Sequence, residues 1–382
     1  MFHNRFLHPA LFAACALLPA TAACAHVGEH HGDGIAWNVW VFEPAVIVPT
    51  LLVALVYVAG VTRRHALSDR MRVWRHVAFA AGLLSIFLAL ESPLDPMAEH
   101  SFSIHQVQHL LLRMFAPMLI ALAAPQAMLI SGLPSVLRRS ALAPLLGNAV
   151  LQRLFGFLVH PVVVTLLFIA ALYAWQLPRY HDAALLDDTI HDAMHVTMFA
   201  AGLLFWWRIF DTRPAPAGLS YGTRLMMLWI VILAQIALGA YTTLKSDLLY
   251  PAYDVVGRLF DMHPLADEAL GGFIIWVPSA MMCLAAAIYV IHMWGSHETR
   301  LDEKRARWSA SNSDALAYPT TGAALIEQAR PKNRILALGV VAFAITMFGM
   351  AIFAGVLNHL NSLARHNAAL AHAATAPVNT LH

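Results

Sequence analysis

Apolar runs long enough to cross a bilayer follow one another from Pro44 to Leu357, parted by short polar loops. A spanning helix needs about 20 apolar residues. In lipid the backbone must satisfy its own hydrogen bonds, so such runs fold as helices packed side by side. Only 12% of the residues are charged, about half the share in a soluble domain. The pattern predicts an all-α fold: a polytopic transmembrane bundle of about seven core spans plus one extra C-terminal span.

The spans are expected at Pro44–Val61, Val77–Leu90, Gln106–Ile130, Val162–Leu177, Thr189–Phe210, Leu225–Leu244, Gly271–Met293 and Ile335–Leu357. Pro117 and Pro125 should kink the third. Lys and Arg crowd into alternate loops, such as TRRHALSDRMRVWRH, whereas the loops between them are acidic. By the positive-inside rule the basic loops are cytoplasmic, and both mature ends lie outside. Residues 1–25 read as a signal peptide with cleavage near Ala23-Cys24-Ala25,. A histidine-containing outer segment follows at 26–43, then the seven-span domain at 44–294. A basic cytoplasmic linker at 295–334, the extra helix at 335–357 and an outer histidine-containing tail at 358–382 complete the chain.

Three cysteines, Cys15, Cys24 and Cys283, form no CxxC or CxxxC pair. Soft-metal chemistry would therefore fall to histidine, methionine or carboxylate. Two HxxxH pairs stand out: His105/His109 in SFSIHQVQHLLLRMF and His191/His195 in TIHDAMHVTMF. Spacing of i,i+4 puts two imidazoles on one helix face, and the predicted topology sets both pairs at the outer ends of their helices. Ionisable groups at such depth are functional by default. They suit one shared metal ion, with structural hydrogen bonding, proton relay and haem ligation as the other readings. Gln108 shares the first face. Met194 and Met198 extend the second, where thioethers would favour copper(I) and buried filler is the plainer alternative. Arg113, one turn below His109, needs a counter-charge, and Asp267 or Glu268 before the seventh span are the expected partners, with Glu91 and Asp192 next. The acidic outer loops, Asp95 and Asp192 among their residues, would draw cations toward this face.

The stretch SPLDPMAEHSFSIHQVQHLLLRMFAPMLIALAAPQ, with HDAMHVTMFAAGLLFWW and ADEALGGFIIWVPSAMM, resembles the polytopic CtaG family of cytochrome c oxidase assembly factors over about Pro44–Trp294. Matching positions are Pro93, Asp95, His105, Gln108, His109, Pro117, Pro125, His191, His195, Gly271, Gly272, Trp276 and Pro278. Where the family often reads HMxQHM this chain has HQVQHL, so two soft ligands are missing. The resemblance implies an assembly factor in a bacterial plasma membrane, binding or presenting copper to an oxidase subunit or a second copper chaperone. Copper would be held by His105, His109, His191 and His195. Asp95, Gln108, Asp192, Met194, Asp267 and Glu268 would support the ligands or admit the ion. Membrane lipid surrounds the protein; no catalytic residue, nucleotide cofactor or nucleic acid is called for. A histidine-box di-iron enzyme and a bis-histidine haem electron carrier are the rival functions.

Overall fold

The computed structural model describes residues 40–64, 73–213, 215, 217–259, 262–311, 327, 330–331, 334–347 and 349–350. The predicted signal peptide, the histidines of 26–39, most of the linker beyond Ser311, the end of the eighth span and the tail at 358–382 lie outside the described residues. The chain forms two units, residues 1–294 and 295–382.

All regular structure among the described residues is helical. The first unit contains α1 (Pro44–Arg64), α2 (Val73–Glu91), α3 (Leu94–Ala98), α4 (Phe102–Ala123), α5 (Gln126–Gly132), α6 (Ser135–Gly147), α7 (Ala149–Leu158), α8 (Pro161–Trp175) and α9 (Pro178–Leu186). It continues with α10 (Asp188–Ile209), α11 (Tyr221–Leu244), α12 (Ala252–Val256) and α13 (Pro264–Ser311), whose last turns enter the second unit. That unit also holds a shorter apolar helix, α14 (Arg334–Met347). Five helices, α1, α2, α4, α11 and α13, are long and apolar enough to cross a membrane. Two bent pairs, α6/α7 at 69° and α8/α9 at 70°, bring the possible spans to seven. The protein is thus a multi-pass membrane protein. Helix α10 is 22 residues long, about 33 Å at 1.5 Å per residue, but its histidines and aspartates make it less apolar than its neighbours.

Proline sets several of these boundaries. Pro161 and Pro178 open α8 and α9, where a missing N–H costs nothing. The residue before a proline is pushed out of the helical region, and Leu177 is accordingly extended at φ −68°, ψ 126°, which makes the bend. Side-chain caps start two long helices: Asp187 accepts from Ile190 N at 3.1 Å for α10, and Ser220 from Thr223 N at 3.1 Å for α11.

The predicted kinks in the third span have a specific form. Pro117 has no N–H to donate to the carbonyl of Arg113 four residues back. Residues Leu110–Phe115 widen into a π turn, with Ala116 N–H bonding Leu111 O instead. The released Arg113 carbonyl faces Gly202 of α10, where any Cβ would collide with it. That close approach brings α4 and α10 together. At Ala124 the chain turns left-handed, φ 49°, so α4 ends there and Pro125 begins the turn into α5. The expected continuous span to Ile130 is therefore two helices.

Helix α10 packs between α8 and α4, α2 packs on α4, and α1 packs on α5. Trp206, Phe168, Phe205, Met114 and Leu112 fill the interior, and the rings of Phe168 and Phe205 stack at 4.3 Å.

Candidate metal centre

Helix α4 carries His105 and His109, and α10 carries His191 and His195; the two pairs face each other. Ring centroids lie 4.3 Å apart within the first pair and 4.4 Å within the second. Across the helices they lie 5.1 Å apart for His105–His191, 5.6 Å for His109–His195 and 6.0 Å for His105–His195. His105, His109 and His195 are buried, and one ring nitrogen from each lies within 4.8 Å of the others. His191 is half-buried beside this trio.

The nitrogens are left over by the protein's own bonding. Nε2 of His105, both ring nitrogens of His109 and Nε2 of His195 are buried with no hydrogen-bond partner. Buried polar atoms are normally bonded, and exceptions ask for an explanation. A metal ion supplies one: imidazole lone pairs directed at one point are the usual borderline donors for copper, zinc or iron. The residues present therefore fit a metal.

Two residues that the sequence pattern did not single out set the direction of one ligand. His181, on α9, is wholly buried, and its Nδ1 bonds the carbonyl of Trp175 at 3.1 Å. A carbonyl only accepts, so Nδ1 carries the proton and Nε2 is an acceptor. Tyr253, on α12, lies 2.9 Å from that Nε2 and donates its hydroxyl proton to it. The same phenolic oxygen is 2.8 Å from Nδ1 of His105, which must then donate. The proton on Nδ1 leaves the lone pair of His105 on Nε2, aimed at the trio. This relay from a backbone carbonyl to a ligand nitrogen is the type of support that fixes metal-binding imidazoles. Burial, reinforced by the carboxylate of Asp267, holds the phenol of Tyr253 well above the usual tyrosine range, so it stays a donor.

The expected acidic partners have other work. Asp267 accepts from Phe102 N at 2.8 Å, Ser103 N at 3.0 Å and Ser101 Oγ at 2.9 Å. A carboxylate there caps the start of α4 and favours its dipole. Asp267 also pairs with Arg258 at 3.2 Å. Glu268 bonds Lys245 and the amides of Leu249 and Tyr250, which holds the loop leading to Tyr253. Gln108 bonds Asp95 and the carbonyl of Ala89, Asp192 is exposed, and Met194 is buried in the aromatic cluster with Phe102 and Tyr253.

Arg113 pairs with neither Asp267 nor Glu268. Its guanidinium lies over the Phe168 ring at 3.9 Å and donates to the Phe168 carbonyl at 3.3 Å. Depth explains the difference. Asp267 sits level with Phe102, and Arg113 lies eleven residues further on, roughly 16 Å at the helical rise. No carboxylate among the described residues lies within ion-pair distance of it.

A polytopic helical bundle with buried, unsatisfied imidazoles on two facing helices defines a membrane protein with a candidate metal centre. The chain belongs to the cytochrome c oxidase caa3 assembly factor (Caa3_CtaG) family, whose model matches residues 55–296. It is similar to an uncharacterized protein of Mycobacterium bovis, at 24% identity over 278 residues, covering 72% of this chain and 42% of the relative. An uncharacterized protein of Mycobacterium leprae is 24% identical over 292 residues, 74% of this chain and 44% of the relative. The chain thus spans less than half the length of the curated relatives it matches. No solved structure matches it.

Proposed function

We propose that this caa3-type assembly factor binds copper through His105, His109 and His195, with His191 completing the set, and presents it to a cytochrome c oxidase subunit or to a copper chaperone. The observation that carries this reading is the group of buried ring nitrogens without partners on facing helices. The donor set is all imidazole and fits several metals; membership in an oxidase assembly family tips the choice to copper,. The acidic loops near the N-terminal ends of α4 and α10 support a centre close to the periplasmic face, with both mature ends on that side.

His105 supplies Nε2, kept in that tautomer by the Tyr253–His181–Trp175 relay. His109 and His195 supply the next two nitrogens, held close by the contact of Gly202 with Arg113. Asp267 anchors the start of α4, and Glu268 anchors the Tyr253 loop. Bound copper would take one lone pair from each ring and so satisfy one open nitrogen on each. Neither rival function suits the packing as well. The other four histidine rings all lie within 6.0 Å of the ring of His105, a cluster around one point rather than two rings set apart on either side of a porphyrin plane. Among the described residues no carboxylate joins the histidine group, whereas two-metal sites in helical bundles commonly use bridging carboxylates.

Full-length protein purified without chelators should carry about one copper per chain by elemental analysis, lost in His105→Ala and in His195→Ala alike. Cells with either variant should assemble less active oxidase, partly restored by added copper. Full copper content in both variants would overturn the assignment.

A further inference from the structure

The histidine group is covered at His105 and borders an apolar cavity at His195. Tyr253, His181 and Phe102 cover His105 and are themselves wholly buried. On the other side, His195 forms part of the wall of a cavity of about 110 Å³ between α1, α2, α4, α5 and α10. The remaining wall is almost entirely apolar, with the rings of Phe79 and Phe199 among its members. Helix α1, at its edge, turns Leu51, Leu52 and Leu55 outward. Apolar side chains thus flank the cavity inside and out, and a water-borne ion has little reason to enter it.

Three polar side chains line the cavity: Thr50, Gln126 and His195. Thr50 spends its hydroxyl on the carbonyl of Val46 at 2.7 Å. The side chains of Gln126 and His195, each only 7% exposed, make no hydrogen bond to another described residue. Nε2 of His195 is sealed among the histidines, and a neutral imidazole carries one proton. A proton on the sealed nitrogen would have no acceptor, so it belongs on Nδ1, the ring nitrogen left for the cavity. That donor and the Gln126 amide both call for an oxygen inside an apolar, partly aromatic pocket.

We infer that the cavity binds a quinone-class lipid, with its ring between Phe79 and Phe199, one ring oxygen accepting from His195 and its tail along α1 and α2 toward the bilayer. Both redox forms of such a lipid offer that oxygen. A plain acyl chain fills the volume but leaves His195 and Gln126 unsatisfied. The site needs no metal, so its failure and that of the copper reading are separable.

The test uses full-length protein in detergent, with decylubiquinone as probe and decylbenzene, a ring and tail without oxygens, as control. Equilibrium dialysis should show decylubiquinone binding at least about tenfold tighter than decylbenzene, the value of one well-made hydrogen bond. His195→Phe, which keeps a ring but not the N–H, should erase that preference. Leu83→Trp, which fills the cavity from α2, should abolish binding of both while leaving copper content unchanged. An azido-quinone should label peptides of α1, α2, α4, α5 or α10 in the wild-type protein, an arm independent of how the variants fold. Equal affinity for probe and control would make this a site for acyl chains and overturn the inference. Labelling confined to other helices, or unaltered binding in Leu83→Trp, would overturn it as well.

Discussion

The two ends of α10 treat buried polar groups in opposite ways. At its C-terminal end, Arg224 is wholly buried and spends its guanidinium on the carbonyls of Ile209, Asp211, Arg213 and Leu219. The Asp211 carboxylate there is gripped by Arg213 at 2.7 Å, with Arg208 at 3.6 Å. At its N-terminal end, His195 and its neighbours across the helix leave ring nitrogens open. A satisfied network ties a loop to the bundle and gains nothing from a ligand. An unsatisfied one lowers stability until something binds, so its persistence points to use.

The sharpest test of that contrast removes Arg224. Arg224→Met strands the carbonyls of Ile209, Asp211, Arg213 and Leu219 in the interior, and at about 1–3 kcal/mol for each group left unsatisfied it should cost about 3 kcal/mol or more. The cost should appear as a lower midpoint of thermal unfolding in detergent and a smaller monodisperse fraction. A cost below about 1 kcal/mol would erase the distinction between the two ends.

The converse change is His109→Leu. It deletes two buried unpartnered nitrogens at similar volume, so metal-free protein should unfold at the same or a higher temperature, while copper affinity falls by roughly 100-fold or more. Tyr253→Phe is milder. It breaks the relay without touching a ligand, and copper affinity should drop about tenfold to a hundredfold. His181→Phe should show the same loss, and the two together little more, because both act through Nδ1 of His105. Because the phenol of Tyr253 is held above its usual range, the folded state keeps this proton where the unfolded chain has lost it. Its contribution to stability is full below the ordinary tyrosine pKa and is lost as pH rises beyond it. Alkaline unfolding should therefore set in at higher pH for Tyr253→Phe than for wild type.

The smallest effect is an absence of coupling. Arg113→Leu and Asp267→Asn should add within about 0.5 kcal/mol in a double-mutant cycle, because Asp267 caps α4 and Arg113 lies on Phe168. Coupling above 1 kcal/mol would restore the ion pair that the sequence suggests.

Much of this architecture was legible in the chain. Apolar runs located the spans because lipid permits few alternatives. The HxxxH pairs marked α4 and α10 because helical periodicity makes i,i+4 a contact. What periodicity does not encode was missed. His181 and Tyr253 are single residues in segments between the long helices, and only tertiary packing brings them to His105. Depth along a helix is coarse when read from sequence, so Arg113 was given partners about three turns away. Proline announced a kink in α4, but not that a π turn would absorb it. Beyond the predicted end of the seventh span at Met293, α13 runs on to Ser311, where charged residues no longer signal a membrane.

The π turn in α4 is equivalent to one surplus residue stored in the helix. A regular helix advances about 100° per residue, whereas the wider π turn advances less, so it winds about as far as a regular segment one residue shorter. Deleting one residue from Leu110–Phe115 would therefore let α4 relax to even winding with the His105/His109 face and the Pro117 face keeping their mutual angle. Deleting one from the regular turns between Ala116 and Ala123 offers no such slack, and would swing the two ends of the helix about a quarter-turn against each other. The centre thus has a rotational phase as well as a position, and the π turn is where the chain can gain or lose a residue without disturbing it.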